Sequence, residues 1–125
     1  MNALNMARTA YTPAATPIRS HRATEYEAFV RVTRALKAAR TPSEIAGALH
    51  ENRQLWQILA EDVAEPANGL PDALRAGIMN LATFTNRHTS DVLRGVGAHT
   101  VLVEINAAVM RGLRQSGAEE GGAVA

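Results

Sequence analysis

Two runs of residues with identical spacing constrain this chain more than anything else in it. Ile45, Leu49, Asn52, Trp56, Leu59 and Val63 recur at steps of 4, 3, 4, 3 and 4, and Leu74, Ile78, Leu81, Thr85, His88 and Val92 repeat those steps. Steps of three and four bring a side chain back to one face of a 3.6-residue helix, so each run reads as a helix with a single packed stripe. Between them, Pro66, Asn68, Gly69 and Pro71 form the clearest stop-and-turn signal in the sequence. Two matched stripes joined by a short turn predict an antiparallel helical hairpin. Leu49–Pro71, with the only tryptophan and the pairs Leu55/Trp56 and Ile58/Leu59, is the greasiest segment and the expected centre of packing.

Two further helices are expected on either side of this hairpin. Thr24-Glu25-Tyr26-Glu27 has the capping-box pattern and opens a helix over about 24–39, with Tyr26, Phe29, Val30, Thr33 and Leu36 on one face. A second box, Thr41-Pro42-Ser43-Glu44, starts the Trp56 helix, with Pro42 at the first helical position, where a missing amide costs nothing. Gly47 weakens its first turns and predicts a kink near Ala48–His50. Gly95 and Gly97 stop the third helix. A last one, over about Thr100–Arg114, shows Val101, Ile105, Ala108, Val109 and Gly112 on one face. Residues 2–11 could form a short helix before Pro13 and Pro17 break it.

The expected architecture is therefore all-α, a small antiparallel bundle of about four helices. Residues 1–23 form an arm, 24–114 the bundle, and 115–125 a disordered tail. A chain of 125 residues fits one domain, and an aromatic content of only 4% leaves leucine, isoleucine and alanine to build the core. The expected core is Tyr26, Phe29, Leu36, Leu49, Asn52, Trp56, Leu59, Val63, Leu74, Ile78, Leu81, Ile105 and Val109.

Chemistry finds little foothold. With no cysteine there is no disulfide framework, thiolate nucleophile or thiolate metal site. His50 with Glu51, His88 with Asp91, and His99 are scattered, no two histidines stand one turn apart, and no phosphate-cradling glycine loop or nucleophile elbow occurs. Neither an enzyme nor a cofactor or metal site is expected. No apolar run approaches the roughly 18 residues of a membrane span, which suits a cytoplasmic protein. Arg8, Arg19 and Arg22 make the arm basic, while residues 24–114 balance ten basic against ten acidic groups. That falls short of the basic stripe of a nucleic-acid binder. The acidic Glu61, Asp62 and Glu65 and the basic Arg31, Arg34, Lys37 and Arg40 read first as solvated faces.

Some apolar residues lie off the packed stripes. Leu55 and Ile58 fall on the other side of the Trp56 helix, Met79 and Leu93 lie away from the third stripe, and Val103 and Met110 lie opposite Ile105. These six are the candidate partner-binding residues, the methionines especially, since methionine adapts to varied surfaces.

Five pieces in order carry a resemblance: Glu25-Tyr26-Glu27-Ala28-Phe29; Leu49-His50-Glu51-Asn52-Arg53-Gln54-Leu55-Trp56; Asp62-Val63; Asn68-Gly69-Leu70-Pro71 with Leu74-Arg75-Ala76; and Glu104 to Leu113. Together they resemble the flagellar biosynthesis regulator FlaF of alphaproteobacteria. The resemblance implies a small cytoplasmic helical protein that binds flagellin as a chaperone and promotes its synthesis and export, acting opposite the translational repressor FlbT. It supplies no catalytic residues. Flagellin is thus the expected partner. The rival expectations are an adaptor to FlbT or the export apparatus, and a regulator of flagellin messenger RNA that uses Arg8, Arg19, Arg22, Arg31 and Arg34.

Overall fold

The computed structural model describes residues 18–124, with side chains over 24–115, as four helices: α1 (Ile18–Ala38), α2 (Pro42–Ala64), α3 (Asp72–Leu93) and α4 (Thr100–Val124). Short connections make successive helices antiparallel. Arg53 of α2 reaches Asn86 and Ser90 of α3, while Arg75 near the start of α3 reaches Val63 and Glu65 at the end of α2. α1 packs on α2 and α4, and α3 packs on α2 and more sparsely on α4. The matched stripes thus form the antiparallel hairpin they predict, closed into a four-helix bundle.

Local signals explain most of the helix ends. Thr41 Oγ1 accepts the Glu44 amide at 3.1 Å, and Glu44 Oε1 accepts the amides of Thr41 and Arg40 at 3.0 and 2.9 Å, a complete capping box with Pro42 inside it. These backbone bonds, Thr41 first and then Arg40, hold the Glu44 carboxyl below its ordinary pKa. At the other end of α2, Asn68 Nδ2 donates to the Asp62 carbonyl at 3.1 Å, and Arg75 donates from Nε to the Val63 carbonyl at 2.9 Å and from Nη2 to that of Glu65 at 2.8 Å. A cation thereby meets the negative end of the helix dipole and offsets the acidic residues beside it. Gly95, at φ 79°, ends α3: its amide reaches the Val92 carbonyl and that of Val96 reaches Asp91, the paired bonds of a Schellman stop.

Four expectations are corrected. Thr24 does not cap, because α1 has already begun at Ile18 and its first six residues belong to the stretch assigned to the arm. Gly47 causes no break, its surroundings being open and the α2 ladder continuous. α4 runs on to Val124 through residues assigned to a disordered tail, since Gln115–Glu120 contains no proline and is largely compatible with a helix. The buried face of α4 is Leu102, Asn106, Val109 and Leu113; of the expected face, Val101 and Ile105 are half-buried and Ala108 is exposed. The possible helix at 2–11 lies outside the described residues.

Among the described residues, the interior holds two apolar clusters. One contains Phe29, Val32, Leu55, Trp56, Leu59, Val63, Leu70, Ile78, Val109 and Leu113, with the Phe29 and Trp56 rings edge to face at 5.6 Å. The other contains Leu36, Ala39, Ala48, Leu49 and Leu102. Leu74, Leu81 and Ile105 are half-buried against these clusters; Tyr26, expected in the core, is half-buried and joins neither.

On three helices a buried polar residue separates the clusters: Thr33 on α1, Asn52 on α2 and Asn106 on α4. Asn106, fully buried, is their junction. Its Oδ1 accepts Trp56 Nε1–H at 2.9 Å, and its Nδ2 donates to Asn52 Oδ1 at 2.8 Å and to Thr33 Oγ1 at 3.1 Å. The bond between Trp56 and Asn106 joins α2 to α4 across the bundle.

Removing the Asn106 amide leaves the indole N–H and the Thr33 and Asn52 groups buried without their partner, at about 1–3 kcal/mol per group. Asn106→Ala is expected to lower unfolding stability by about 3 kcal/mol or more in urea titrations. A double-mutant cycle with Trp56→Phe should show coupling of at least about 1 kcal/mol; independent effects would contradict the junction.

Because the Glu44 carboxyl is depressed in the folded state, its stabilising effect is present above its unfolded value and is lost as pH falls through the folded value. The melting-temperature gap between the natural chain and Glu44→Gln should therefore be open at pH 7 and close as pH drops below the ordinary glutamate value of 4.5. A gap constant down to pH 3 would contradict this.

Candidate partner-binding surface

α3 is the least embedded of the four helices in apolar terms. Its fully buried residues are Ile78, Thr85 and Thr89, only one of them aliphatic. Polar attachments compensate. Arg53 Nη2 donates to the Asn86 carbonyl at 3.0 Å and to Ser90 Oγ at 2.9 Å, and His88 Nε2 lies 2.8 Å from the Ala98 carbonyl, tying α3 to the turn that follows it. The His88 ring also stacks on Phe84, centroids 5.6 Å apart.

The large apolar side chains left exposed among the described residues all belong to α3 and that turn: Met79 at 40% exposure, Phe84 at 44%, Leu93 at 56% and Val96 at 71%. This divides the six candidate residues. Met79 and Leu93 stand on the surface as expected. Leu55 is buried in the Phe29/Trp56 cluster and is corrected from contact to core, its face of α2 being covered inside the bundle. Ile58 is half-buried. Val103 and Met110 are also half-buried, packed against the second and first clusters respectively, so they support the core more than they display a surface. Their side of α4 turned inward because the buried face of that helix centres on Leu102 and Asn106. Phe84 and Val96 are not among those six candidates. Phe84 lies about 100° around the helix from the stripe residue Thr85, a signal the sequence does contain, whereas the exposure of Val96 follows from the geometry of the Gly95 turn.

The polar candidates find ordinary roles. His50 and Glu51 are exposed; Asp91 pairs with Arg94; Arg31, Arg34, Lys37 and Arg40 are exposed, with Arg40 donating to the Lys37 and Ala39 carbonyls at the end of α1. Of the acidic group, Glu61 and Glu65 are exposed and Asp62 is buried. Among the described residues no group of three or more histidine, aspartate or glutamate side chains could hold a metal ion, and no helix is long and apolar enough to cross a membrane.

Among the described residues, hollows also indent the bundle. One, of about 320 Å³, lies along α1 beside Tyr26, Glu27, Val30, Arg31 and Arg34. Another, of about 200 Å³, opens between α2 and α3 and is lined by Arg53, Trp56, Gln57, Ala60, Thr85 and Asn86 among others. The arrangement as a whole offers an apolar helix surface with a donor-rich hollow beside it.

A family model described as flagellar protein FlaF matches residues 7–113 of the chain. No curated protein and no solved structure matches it.

Proposed function

Because the chain belongs to the FlaF family of flagellar proteins, which implies a role in flagellum biogenesis, we propose that it is a cytoplasmic, non-catalytic chaperone that holds amphipathic helices of unassembled flagellin against α3. The observation that carries this reading is that, among the described residues, the exposed large apolar side chains all lie on α3 and its C-terminal turn. Scattered apolar residues on a surface need no explanation; Met79 and Leu93, within about 40° of each other around α3, mark a contact face, while Phe84 lies about 140° around the helix from Met79. An amphipathic helix laid along such a face buries its own stripe and is withheld from aggregation by mass action.

Magnitudes favour a complex that forms and releases. Covering what remains exposed of Met79 and Leu93 contributes on the order of 1 kcal/mol per side chain. That is enough to select an apolar partner and too little to make the complex long-lived without further contacts. Moderate affinity suits a carrier that must give up its cargo at the export apparatus.

The test is direct mixing of the purified chain with flagellin. A complex at micromolar concentrations is expected by size-exclusion chromatography and calorimetry. Met79→Glu and Leu93→Glu, both at exposed positions on the same side of α3, should each weaken it at least tenfold, about 1.4 kcal/mol, with helical circular dichroism unchanged. An apolar contact should also survive a rise in salt that would dissociate phosphate-driven binding. No complex, or full-strength binding by both variants, would overturn the proposal.

A further inference from the structure

Arg53 carries a charge that the described residues leave unmatched. The side chain is half-buried; Nη2 donates to the Asn86 carbonyl and Ser90 Oγ, both uncharged, while Nε is buried and has no hydrogen-bond partner. The ion pairs among the described residues, Arg75 with Asp72 and Arg94 with Asp91, do not include it. A guanidinium drawn partly out of water is costly unless an anion meets it, and its fork of donors matches a carboxylate.

Thr85 faces the same hollow from α3. It is 0% exposed, and its hydroxyl has no hydrogen-bond partner. A helical threonine usually returns its hydroxyl to the carbonyl four residues back, as Thr89 does to Thr85 at 2.7 Å and Thr83 does to Met79 at 3.2 Å. Thr85 departs from this and keeps a buried donor free. The exposed Gln57 and Asn86 add amides, Trp56 and Ala60 supply apolar wall, and no acidic residue lines the hollow. About 200 Å³ is smaller than the roughly 300–1,000 Å³ of pockets for drug-sized ligands. It suits one side chain.

From this geometry we infer that the hollow between α2 and α3 is a recognition pocket for a glutamate or aspartate side chain presented by a bound helix. The carboxylate accepts from Arg53 Nε–H and the Thr85 hydroxyl, matching the unpaired charge and using both free donors at once. Met79 lies seven residues, about two turns, from Asn86 on the same face of α3. The helix that inserts the carboxylate therefore lays apolar residues over Met79. Naming flagellin as the source of that helix rests on the function proposed above; the pocket's preference for a carboxylate does not.

The full chain, labelled with ¹⁵N, is titrated with propionate, the side-chain analogue of glutamate, and separately with propionamide, its uncharged isostere. Saturable shifts of the Arg53 Nε–H signal in millimolar propionate are expected, with propionamide at least tenfold weaker. Ala60→Leu, which fills the hollow and removes no donor, should abolish them. Thr85→Val should weaken propionate about tenfold, the effect of one hydrogen bond to a charged group, while holding or raising the melting temperature, because a buried donor without a partner is lost. Shifts equal for propionamide, or unchanged in Ala60→Leu or Thr85→Val, overturn the pocket. Flagellin then separates the two proposals. If it binds the natural chain and Ala60→Leu equally, the chaperone reading stands and docking through this pocket is overturned. If it binds neither while propionate still saturates, the chaperone reading fails and the carboxylate pocket stands.

Discussion

The structure depends on one amide. Asn106 accepts the Trp56 indole proton and donates to Asn52 and Thr33, so a single fully buried side chain ties α4 to α1 and, across the bundle, to α2. Leucine-rich stripes alone tolerate sliding, because an apolar side chain packs nearly as well one step along its partner. A polar group in the same position does not slide: moved from its partner it forfeits about 1–3 kcal/mol of desolvation. The junction therefore does for this bundle what a single buried asparagine does in a coiled coil, trading some stability for one register. The apolar clusters on either side of it, one around Phe29 and Trp56 and one around Leu36 and Leu49, inherit their alignment from it.

α3 stands outside this network. Its buried polar residues, Thr85 and Thr89, bond within the helix or not at all, and Ile78 is its one fully buried aliphatic residue. Arginines from two directions hold it instead, Arg53 of α2 on Asn86 and Ser90, and its own Arg75 on the last carbonyls of α2. Elements with few buried apolar contacts and with attachments near the surface open at lower free energy than the core does. The helix that displays the exposed apolar residues is also the one with the least invested in the interior.

Much of this was legible in the sequence, for reasons that can be traced to particular residues. Stripes spaced 4, 3, 4, 3, 4 are hard to produce by any other structure, and proline, asparagine and glycine between them leave one way to connect them. The Thr41 box was legible because Pro42 excludes an earlier helix start, whereas Thr24 has no such barrier and the helix simply runs past it. α4 misled because valine, isoleucine and alanine surround it and offer several equally plausible stripes. The correct one passes through Asn106, which periodicity alone discounts as polar; only the Trp56 indole, 50 residues away, shows why an asparagine belongs in the core. The same rotation carried Val103 and Met110 from surface to support. Leu55 moves inward as well, for another reason: a helix buried on two sides has no free back.

The same division of labour bears on recognition. Apolar area sets how strongly a partner is held but discriminates poorly among amphipathic helices, which all offer a similar stripe, whereas a buried polar group left unpaired penalises the wrong partner. In this fold the two properties occupy adjacent places: Met79 and Leu93 are exposed on one side of α3, and Thr85 and Arg53, whose buried hydroxyl and Nε–H have no partner, line the hollow between α2 and α3. Filling that hollow with aliphatic residues would strengthen the attachment of α3 to α2. The chain instead keeps a polar gap there, beside an interior that elsewhere spends its one asparagine junction on register. A stability cost concentrated at the edge of the most exposed apolar helix is what a binding surface that must both select and release would require.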